Sequence, residues 1–242
     1  MTLPNIHTLY GVIDATWPAA KLTQFGGITL RQGDGGGSRV SAATCDGELT
    51  TSTLSDAEQA MRDMDQPALF MVHDGQSAAD DHLAAQGYTV MDPCNVYAAP
   101  LGLLTGLDHP HKTCFAAFPP LASQRELWAK GGIGDSRIAV MQRATGPKTT
   151  FLGRAQDRPA GTVYAAIHDG CAMLHALEID AQFRRHGLGR HLTIAIAKWA
   201  QAQGATYLSL ITTQANAGAN ALYASLGMEV VGHYHYRIKT KG

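Results

Sequence analysis

The sequence lacks the marks of several protein classes. Its 242 residues hold four cysteines, Cys45, Cys94, Cys114 and Cys171, and no C-x-x-C pair, so we predict reduced thiols rather than a disulfide framework or a cysteine zinc site. No apolar run approaches the roughly 20 residues that cross a bilayer. The N-terminus also lacks the basic and then apolar order of a signal peptide. We therefore expect a cytoplasmic protein with no membrane partner.

A surplus of charge is missing as well. The chain has 19 Lys and Arg residues against 20 Asp and Glu residues, a formal net charge of −1. Such a chain has no overall field that would attract nucleic acid or an anionic membrane, and neither is predicted as a partner. Its length suits one large domain or two small ones.

One stretch, His175 to Arg190, has the features of a phosphate-binding site. An apolar strand, 171–179, ends at Asp180, and a basic loop with two glycines, 184–189, leads directly into an amphipathic helix. The first turn of a helix presents free N–H groups and the positive end of the helix dipole. Glycine lets the backbone approach a bulky anion closely. The stretch therefore predicts a site for a phosphate-bearing ligand.

Two common phosphate-binding motifs are absent from this loop. A G-x-G-x-x-G dinucleotide loop needs a third glycine, where this chain has Leu192. A Walker loop needs Gly-Lys followed by Ser or Thr. The chain has Arg-x-x-Gly-x-Gly instead, formed by Arg184, Gly187 and Gly189. Taken alone, this short motif is equally compatible with a tight strand-to-helix turn on a basic surface.

A second motif follows after one more predicted helix and one more strand. Residues 216–228 read Asn-x-x-Ala-x-x-Leu-Tyr-x-x-Leu-Gly-Met. The two motifs, in this order, resemble the acetyl-CoA loop and the second signature of the GNAT N-acetyltransferase superfamily, in which Phe is usual at the position of Met228. The resemblance covers roughly residues 120 to 240.

The resemblance implies an α/β fold, with a mixed, mostly antiparallel sheet flanked by helices. The predicted elements have the order expected of that family: two helices, three strands, helix, strand, helix and two strands. Asp169-Gly170 predicts a two-residue hairpin turn between two of the strands. The last two strands, 229–233 and 234–239, are predicted to pair with each other.

The first part of the chain looks like a degenerate copy of the second. An offset of 140 residues places Gly87 on Gly227 and Leu83 on Tyr223. Nearer the N-terminus, a hairpin is predicted from 28–31 and 39–44. No Arg-x-x-Gly-x-Gly motif occurs there. We predict two similar halves in tandem, 1–104 without a CoA loop and 105–242 with one. The alternative is a separate small α/β domain or a family-specific extension.

By the same resemblance, the second half is an enzyme that moves an acetyl group from acetyl-CoA directly to a primary amine. Backbone N–H groups from Leu177 to Ile179 would polarise the thioester carbonyl. Asn216 would bind the cofactor or would only cap its helix. The loop residues implied in cofactor binding are Arg184, Arg185, His186, Gly187, Leu188, Gly189 and Arg190.

Three residues are candidates for proton transfer. Tyr223 matches the tyrosine that often serves as general acid in the family, the alternative being a core aromatic residue. The position of the glutamate base in some members falls on Met173, which cannot accept a proton. His175 lies on the same strand face and has a suitable reference pKa, although a hydrogen-bonded core histidine is the simpler interpretation. Glu178 lies on the opposite face unless a bulge redirects it.

The acceptor is predicted to be a small molecule or a peptide with a free amine, and its identity stays open. So does the oligomeric state, a homodimer included. Because no conventional base is in place, a non-catalytic acyl-CoA-binding regulatory module is the alternative function. No metal site is predicted: the run Asp108-His109-Pro110-His111, with Cys114 nearby, lacks a second ligand pair and is interpreted as a loop.

Overall fold

The computed structural model describes residues 2–108, 110 and 112–240. The helices are α1 Ile6–Thr16, α2 Ser38–Ser41, α3 Thr51–Asp63, α4 Ser77–Ala85, α5 Leu101–Thr105, α6 Ala122–Lys130, α7 Asp135–Arg143, α8 Leu188–Ala202 and α9 Ala217–Ser225. The strands are β1 Lys21–Phe25, β2 Ile28–Gln32, β3 Thr44–Cys45, β4 Ala68–His73, β5 Thr89–Pro100, β6 Cys114–Ala117, β7 Lys148–Ala155, β8 Arg158–His168, β9 Cys171–Ile179, β10 Tyr207–Thr213 and β11 Glu229–Lys239. Within these described ranges, no helix is both long and apolar enough to span a membrane.

The chain forms two structural units that are interleaved along the sequence. The larger unit takes up the described chain to Pro18 together with 96–212 and 216–231, and the smaller takes up 19–95, 213–215 and the chain from Gly232. Strands β5 and β11 each run from one unit into the other. The sequence prediction divided the chain once, at residue 104, whereas each observed unit contains segments from both sides of that position.

In the larger unit, strands lie side by side in the order β10, β9, β8, β7, β6. Neighbours from β6 to β9 are antiparallel, and β9 and β10 are parallel. Asp169 and Gly170 join β8 to β9 with φ values of 46° and 69°, which are those of the two-residue turn that the sequence predicts. A mixed α/β fold with a mostly antiparallel sheet flanked by helices is thereby confirmed.

Helix α8 packs on one face of this sheet. Its residues Leu192 and Ile196 belong to one buried cluster with Ala172 and Leu174 of β9. Side chains of a strand alternate between faces, so His175 lies on the opposite face of the sheet. Helix α1 and the residue after it, Trp17, pack there: the rings of Trp17 and His175 are stacked with centroids 5.0 Å apart.

In the smaller unit, α3 packs its apolar face on β2 and β4. Leu54 and Met61 of α3 form one core cluster with Leu30 and Phe70. Of the predicted hairpin from 28–31 and 39–44, only the antiparallel pairing of Thr29 with Thr44 is observed. Strand β2 instead forms its hairpin with β1, and residues 38–41 are helix α2. Most of β1 is exposed and has no alternation of apolar and polar residues, so its sequence carries no strand signal.

The prediction of two paired strands at the end of the chain is also wrong. Residues 229–239 form one continuous strand, β11. Its part in the smaller unit pairs antiparallel with β4, from Tyr234 opposite His73 to Lys239 opposite Ala68. The central residues His233 and Tyr234 are not the Gly, Asn or Asp that a tight hairpin turn requires.

The ends of α4 and α9 repeat one local geometry at the offset of 140 residues. Tyr88 donates its backbone N–H to Leu83 at 3.0 Å, and Met228 donates to Tyr223 at 3.1 Å. The glycine that precedes each donor has a positive φ, as expected of a Schellman-type helix end. This correspondence supports the prediction of a degenerate first copy, which stays a prediction.

Candidate active site

The basic loop forms in the larger unit between β9 and α8. A 3₁₀ turn, Ala181–Phe183, follows β9, and α8 begins at Leu188. Gly187 is the N-cap of α8 and has a left-handed conformation with φ 81°, which glycine adopts without steric cost. The side chains of Arg184, Arg185 and His186 are exposed around this turn. The loop therefore places cationic side chains beside the positive end of a helix.

The first turn of α8 lies close to two other elements at Gly189. A Cβ at this position would lie 3.2 Å from Cδ2 of Leu222 in α9 and 3.8 Å from Cδ2 of Leu177 in β9. Gly189 itself is partly exposed where these three elements meet. An accessible helix N-terminus with arginines beside it fits a pyrophosphate group.

Strands β9 and β10 pair over only part of their length. Their register runs from Cys171 opposite Tyr207 to Leu174 opposite Leu210, and both strands continue beyond these pairs. Ala176, two residues past Leu174, has a φ of 51°. Within the described chain, residues 175–179 thus have no pairing partner in β10.

A bulge in β9 decides the direction of Glu178. His175 pairs with Tyr164 of β8 and Glu178 pairs with Thr162, so two successive residues of β9 stand opposite one residue of β8. Tyr164 and Thr162 share a face of the sheet because they are two residues apart. His175 and Glu178 therefore share that face too. The sequence left open which face of the sheet Glu178 takes, and the structure has it on the face of His175 because of the bulge.

The carboxylate of Glu178 is partly accessible. Its side chain is 19% exposed, and Oε1 accepts a hydrogen bond from Nη2 of Arg184 at 3.0 Å. A Cβ on Gly131, the residue after α6, would lie only 2.6 Å from Oε2 and Cδ of Glu178. The carboxylate therefore occupies the space that a side chain at 131 would fill. Oε2 has no hydrogen-bond partner among the residues that the structure describes.

His175 is enclosed in the core. It is 4% exposed, and its Nε2 lies 2.9 Å from Oγ1 of Thr16. The Thr16 hydroxyl donates its only proton to the carbonyl oxygen of Val12 at 2.6 Å, so it accepts the Nε2–H of His175. This geometry matches the hydrogen-bonded core histidine that the sequence left open as the alternative to a base.

Tyr223 is a buried residue of α9. It is 4% exposed, and its ring centroid lies 5.8 Å from that of Tyr97. The Tyr97 hydroxyl donates to Oδ1 of Asn220 at 3.0 Å, whereas the Tyr223 hydroxyl has no hydrogen bond to any described residue. Burial raises the pKa of Tyr223 above its ordinary value. The hydroxyl therefore keeps its proton at neutral pH.

Asn216 acts as the N-cap of α9. Its Oδ1 accepts the backbone N–H of Ala219 at 3.1 Å, and its carbonyl oxygen accepts from the side chain of Asn220 at 2.8 Å. Capping satisfies an N–H group that the helix leaves without a partner. The capping role that the sequence weighed for Asn216 is thus observed, and a contact with the cofactor stays a prediction.

A comparison with protein families matches this part of the chain. The model of the family described as Acetyltransferase (GNAT) family covers residues 115–228. That range contains the basic loop, the bulged strand β9 and Tyr223. Residues 115–228 are a GNAT acetyltransferase domain.

The chain is similar to one curated protein in sequence and to several solved structures in fold. The uncharacterized N-acetyltransferase YobR of Bacillus subtilis (strain 168) is 21% identical over 246 residues, which cover 98% of this chain and all of the relative. A GCN5-related N-acetyltransferase from Kribbella flavida is 18% identical with a TM-score of 0.74, over 98% of this chain and 97% of that one. A tandem GNAT protein from the clavulanic acid biosynthesis pathway is 14% identical with a TM-score of 0.60, over 96% and 87%.

The residues predicted to bind the cofactor differ in their contacts within the GNAT domain. Leu177 and Ile179 pack their side chains on the core cluster, and a contact of their backbone with a thioester stays a prediction. Arg184 donates from Nε to the carbonyl oxygen of Ile179 at 2.9 Å as well as to Glu178. It thus links the loop to the bulged strand. The other loop side chains, Arg185 and His186, are exposed.

Sequence reasoning missed two residues that contact the bulge of the GNAT domain. Trp128 of α6 donates from Nε1 to the carbonyl oxygen of Ala176 at 2.7 Å, and Gly131 borders Glu178. The spacing of α6 predicts a helix that ends near Gly131. Nothing in that spacing indicates which distant carbonyl the indole reaches, so only the tertiary structure reveals this contact.

The cysteines are free thiols with no metal site beside them in the part of the chain that the structure describes. All four cysteines are free thiols, and burial raises the pKa values of Cys114 and Cys171 to about 12, which keeps both thiols protonated. His109 and His111 lie outside the described residues. Among the residues that are described, no three His, Cys, Asp or Glu side chains are placed to hold a metal ion.

Proposed function

We propose that the GNAT domain transfers an acetyl group from acetyl-CoA directly to a primary amine. The observation that carries this proposal is the meeting of three elements at Gly189. There the start of α8 lies close to Leu177 of the bulged strand and to Leu222 of the helix of Tyr223, since a Cβ at Gly189 would lie 3.8 Å and 3.2 Å from their Cδ2 atoms. A donor held by its phosphates at the loop would thus extend along β9 towards the proton-transfer groups.

The residues proposed to hold acetyl-CoA fit its chemistry. The pyrophosphate would bind the N–H groups at the start of α8, next to exposed arginines. When bound, acetyl-CoA supplies the activated thioester. Backbone N–H groups from Leu177 to Ile179 would polarise its carbonyl. The loop residues are Arg184, Arg185, His186, Gly187, Leu188, Gly189 and Arg190, with Asn216 holding the start of α9.

Glu178 is proposed to take the proton from the attacking amine, directly or through a water molecule. An alkylammonium has a pKa of roughly 10, so at neutral pH a base must remove its proton. Glu178 is 19% exposed, and its Oε2 has no hydrogen bond within the described chain. His175 is more enclosed, with Nε2 already bound to Thr16. We therefore prefer Glu178 to His175 as the base and assign His175 a structural role.

Tyr223 is proposed as the general acid. Its hydroxyl is protonated at neutral pH, and among the described residues none accepts that proton. A phenol so placed is able to donate to a departing thiolate. The acid and the base would then lie on separate elements, α9 and β9, on either side of the position proposed for the thioester.

A broad acceptor screen tests this function. The purified full-length protein is incubated with acetyl-CoA and a panel of polyamines, amino acids, aminoglycosides and peptides with a free N-terminus. Acetylated product is detected by mass spectrometry and free CoA by its thiol. We expect acetylation of at least one amine with equimolar thiol release. Tight acetyl-CoA binding with no acetylated product across the panel would support the regulatory module instead.

A further inference from the structure

We propose that Trp128 is a positioning residue, which holds the bulge of β9 in the register that turns Glu178 towards the acceptor side. This inference rests on the proposed function, because it assigns Trp128 a task in setting the geometry of the proposed base. Trp128 itself is fully buried and touches no reacting atom.

The bulge requires stabilising contacts because it holds Ala176 in an unfavourable backbone conformation. Ala176 has a φ of 51°, a left-handed conformation that residues with a Cβ rarely adopt. A bulge also interrupts the ladder of backbone hydrogen bonds, and buried backbone groups need partners. The indole N–H of Trp128 donates to the carbonyl oxygen of Ala176 at 2.7 Å and so satisfies the backbone at the distorted residue.

Other contacts of α6 fix the strand just past the bulge. Gln124, also fully buried, donates to Oγ1 of Thr162 at 3.2 Å, and Thr162 stands opposite Glu178. Gly131 leaves the space that the Glu178 carboxylate occupies. Trp128 and Gln124 of α6 thus contact Ala176 and the partner of Glu178, and Gly131, just after the helix, leaves space for Glu178 itself.

The direction of Glu178 depends directly on this register. Side chains of a strand alternate between faces, so removal of the one extra residue from the bulge would turn Glu178 to the opposite face of the sheet. There it would point towards the side of α8. Trp128 stabilises the bulged register through Ala176, although its own side chain does not contact Glu178 in any hydrogen bond of the described structure.

The first test is Trp128→Phe, which keeps an aromatic ring and removes the N–H donor. Trp199→Phe is the matched control, since Trp199 is a partly buried indole of α8 at the edge of the core. We expect kcat with the best amine to fall about 10- to 100-fold, because small displacements of a catalytic group have effects of that order. The KM for acetyl-CoA should change less than about threefold, because the loop is untouched.

A second variant acts on the carboxylate without touching the core. Gly131 has a φ of −84°, a backbone conformation that alanine also adopts. In Gly131→Ala, the new Cβ would displace the Glu178 carboxylate. Gly134→Ala is its control, because a Cβ there meets nothing within 4 Å. We expect kcat to fall at least about fivefold in Gly131→Ala, with wild-type rates in Gly134→Ala. Equal kcat values in the two variants would show that the space beside Gly131 is not needed to position the Glu178 carboxylate.

Two readouts separate positioning from loss of stability. In the free protein, amide hydrogen exchange of residues 175–179 should be faster in Trp128→Phe than in Trp199→Phe, with the rest of the sheet unchanged. In a Glu178→Gln background, Trp128→Phe should reduce kcat by a smaller factor than in the wild type, because the part of its effect that passes through Glu178 is already lost. The proposal would be overturned if amide exchange of residues 175–179 were unchanged in Trp128→Phe. It would also be overturned if the kcat loss of the double variant equalled the product of the two single losses. An inactive wild type would refute the proposed function, while the exchange experiment would still decide whether Trp128 holds the bulge.

Discussion

At the scale of single residues, the site depends on which polar atoms are already engaged. Tyr97 and Tyr223 are both buried, and their rings are in contact. The Tyr97 hydroxyl donates to Asn220, whereas the Tyr223 hydroxyl has no partner in the described chain. The same contrast separates His175, whose Nε2 is bound to Thr16, from Glu178 with its unbound Oε2. Free hydrogen-bonding capacity therefore distinguishes the proposed acid and base from their structural neighbours.

Removal of the Tyr223 hydroxyl should abolish most of the activity. Tyr223→Phe keeps the ring, so we expect a melting temperature near that of the wild type and a near-normal KM for acetyl-CoA. A positioned acid contributes about 10²–10⁴-fold, and kcat should fall by that factor. Tyr97→Phe is the control, because it removes a neighbouring hydroxyl that is bound to Asn220. A loss of less than about threefold in Tyr223→Phe would show that the tyrosine is structural.

The sequence could predict single residues only where their neighbours in the chain decide their role. The loop from Arg184 to Gly189 and the cap at Asn216 are of this kind, because a helix start follows each at once. Glu178 is different: its direction depends on the bulge at Ala176, and Trp128, 48 positions away in the chain, contacts that bulge. Alternation along the strand alone would have left Glu178 on the wrong face.

At the scale of elements, the start of α8 is the part of the site that local sequence encodes most completely. Its N-cap, Gly187, has the left-handed φ that favours glycine, and Gly189 in its first turn is partly exposed. Strand β11 is the opposite case. Its continuity and its pairing with β4 depend on a partner about 160 residues earlier in the chain, so no local pattern distinguishes it from two short strands.

Gly189→Glu should prevent acetyl-CoA binding. The substitution puts a side chain and a negative charge at the helix end where the pyrophosphate is proposed to bind. We expect no measurable heat of acetyl-CoA binding, with a circular dichroism spectrum like that of the wild type. Gly102→Glu is the matched control, since Gly102 is also the second residue of a helix, α5, and a Cβ there meets nothing within 4 Å. Wild-type affinity in Gly189→Glu would refute the loop assignment.

In the smaller unit, one carboxylate joins α4 to β11. Asp80 accepts hydrogen bonds from Arg237 at 2.7 and 3.1 Å and lies 2.7 Å from Nε2 of His235. The guanidinium of Arg237 is the main cause that lowers the pKa of Asp80 below its ordinary value. A lowered pKa means that the ionised carboxylate stabilises the fold. That contribution is complete above the pKa of the unfolded chain, about 3.9.

Asp80→Asn should therefore lower stability at neutral pH and not in acid. At pH 7 we expect the free energy of unfolding to fall by about 1–2 kcal/mol, the usual range for a partly exposed charged hydrogen bond. The difference from the wild type should shrink as pH drops below about 3.9 and through the lowered pKa of the folded state. Asp81→Asn, a change at the next, exposed residue, is the control. A constant difference between pH 7 and pH 3 in urea titrations would contradict this ion-pair account.

At the scale of the whole molecule, the two units differ in whether they contain the residues proposed to bind acetyl-CoA. All residues proposed for acetyl-CoA lie in the larger unit. The smaller unit has the helix, glycine and strand that correspond to the end of α9, but Leu83 stands at the position of Tyr223. Its sequence also has no Arg-x-x-Gly-x-Gly motif before α3. We thus expect one acetyl-CoA site in each chain.

The interleaving of the units was beyond sequence reasoning. The repeat at an offset of 140 residues predicts that similar elements occur twice, and the matching ends of α4 and α9 agree with it. It does not indicate that α1 belongs to the larger unit or that β11 enters the smaller one. Those assignments depend on packing between segments far apart in the chain, which a local pattern does not encode.

The stoichiometry of acetyl-CoA binding tests the central claim most directly. Acetyl-CoA is titrated into the full-length protein in a calorimeter, with the active protein concentration determined independently. The account predicts one site for each chain, and the Gly189→Glu variant should have none. Two sites for each chain, or one site that survives in Gly189→Glu, would contradict the assignment of acetyl-CoA to the loop between β9 and α8.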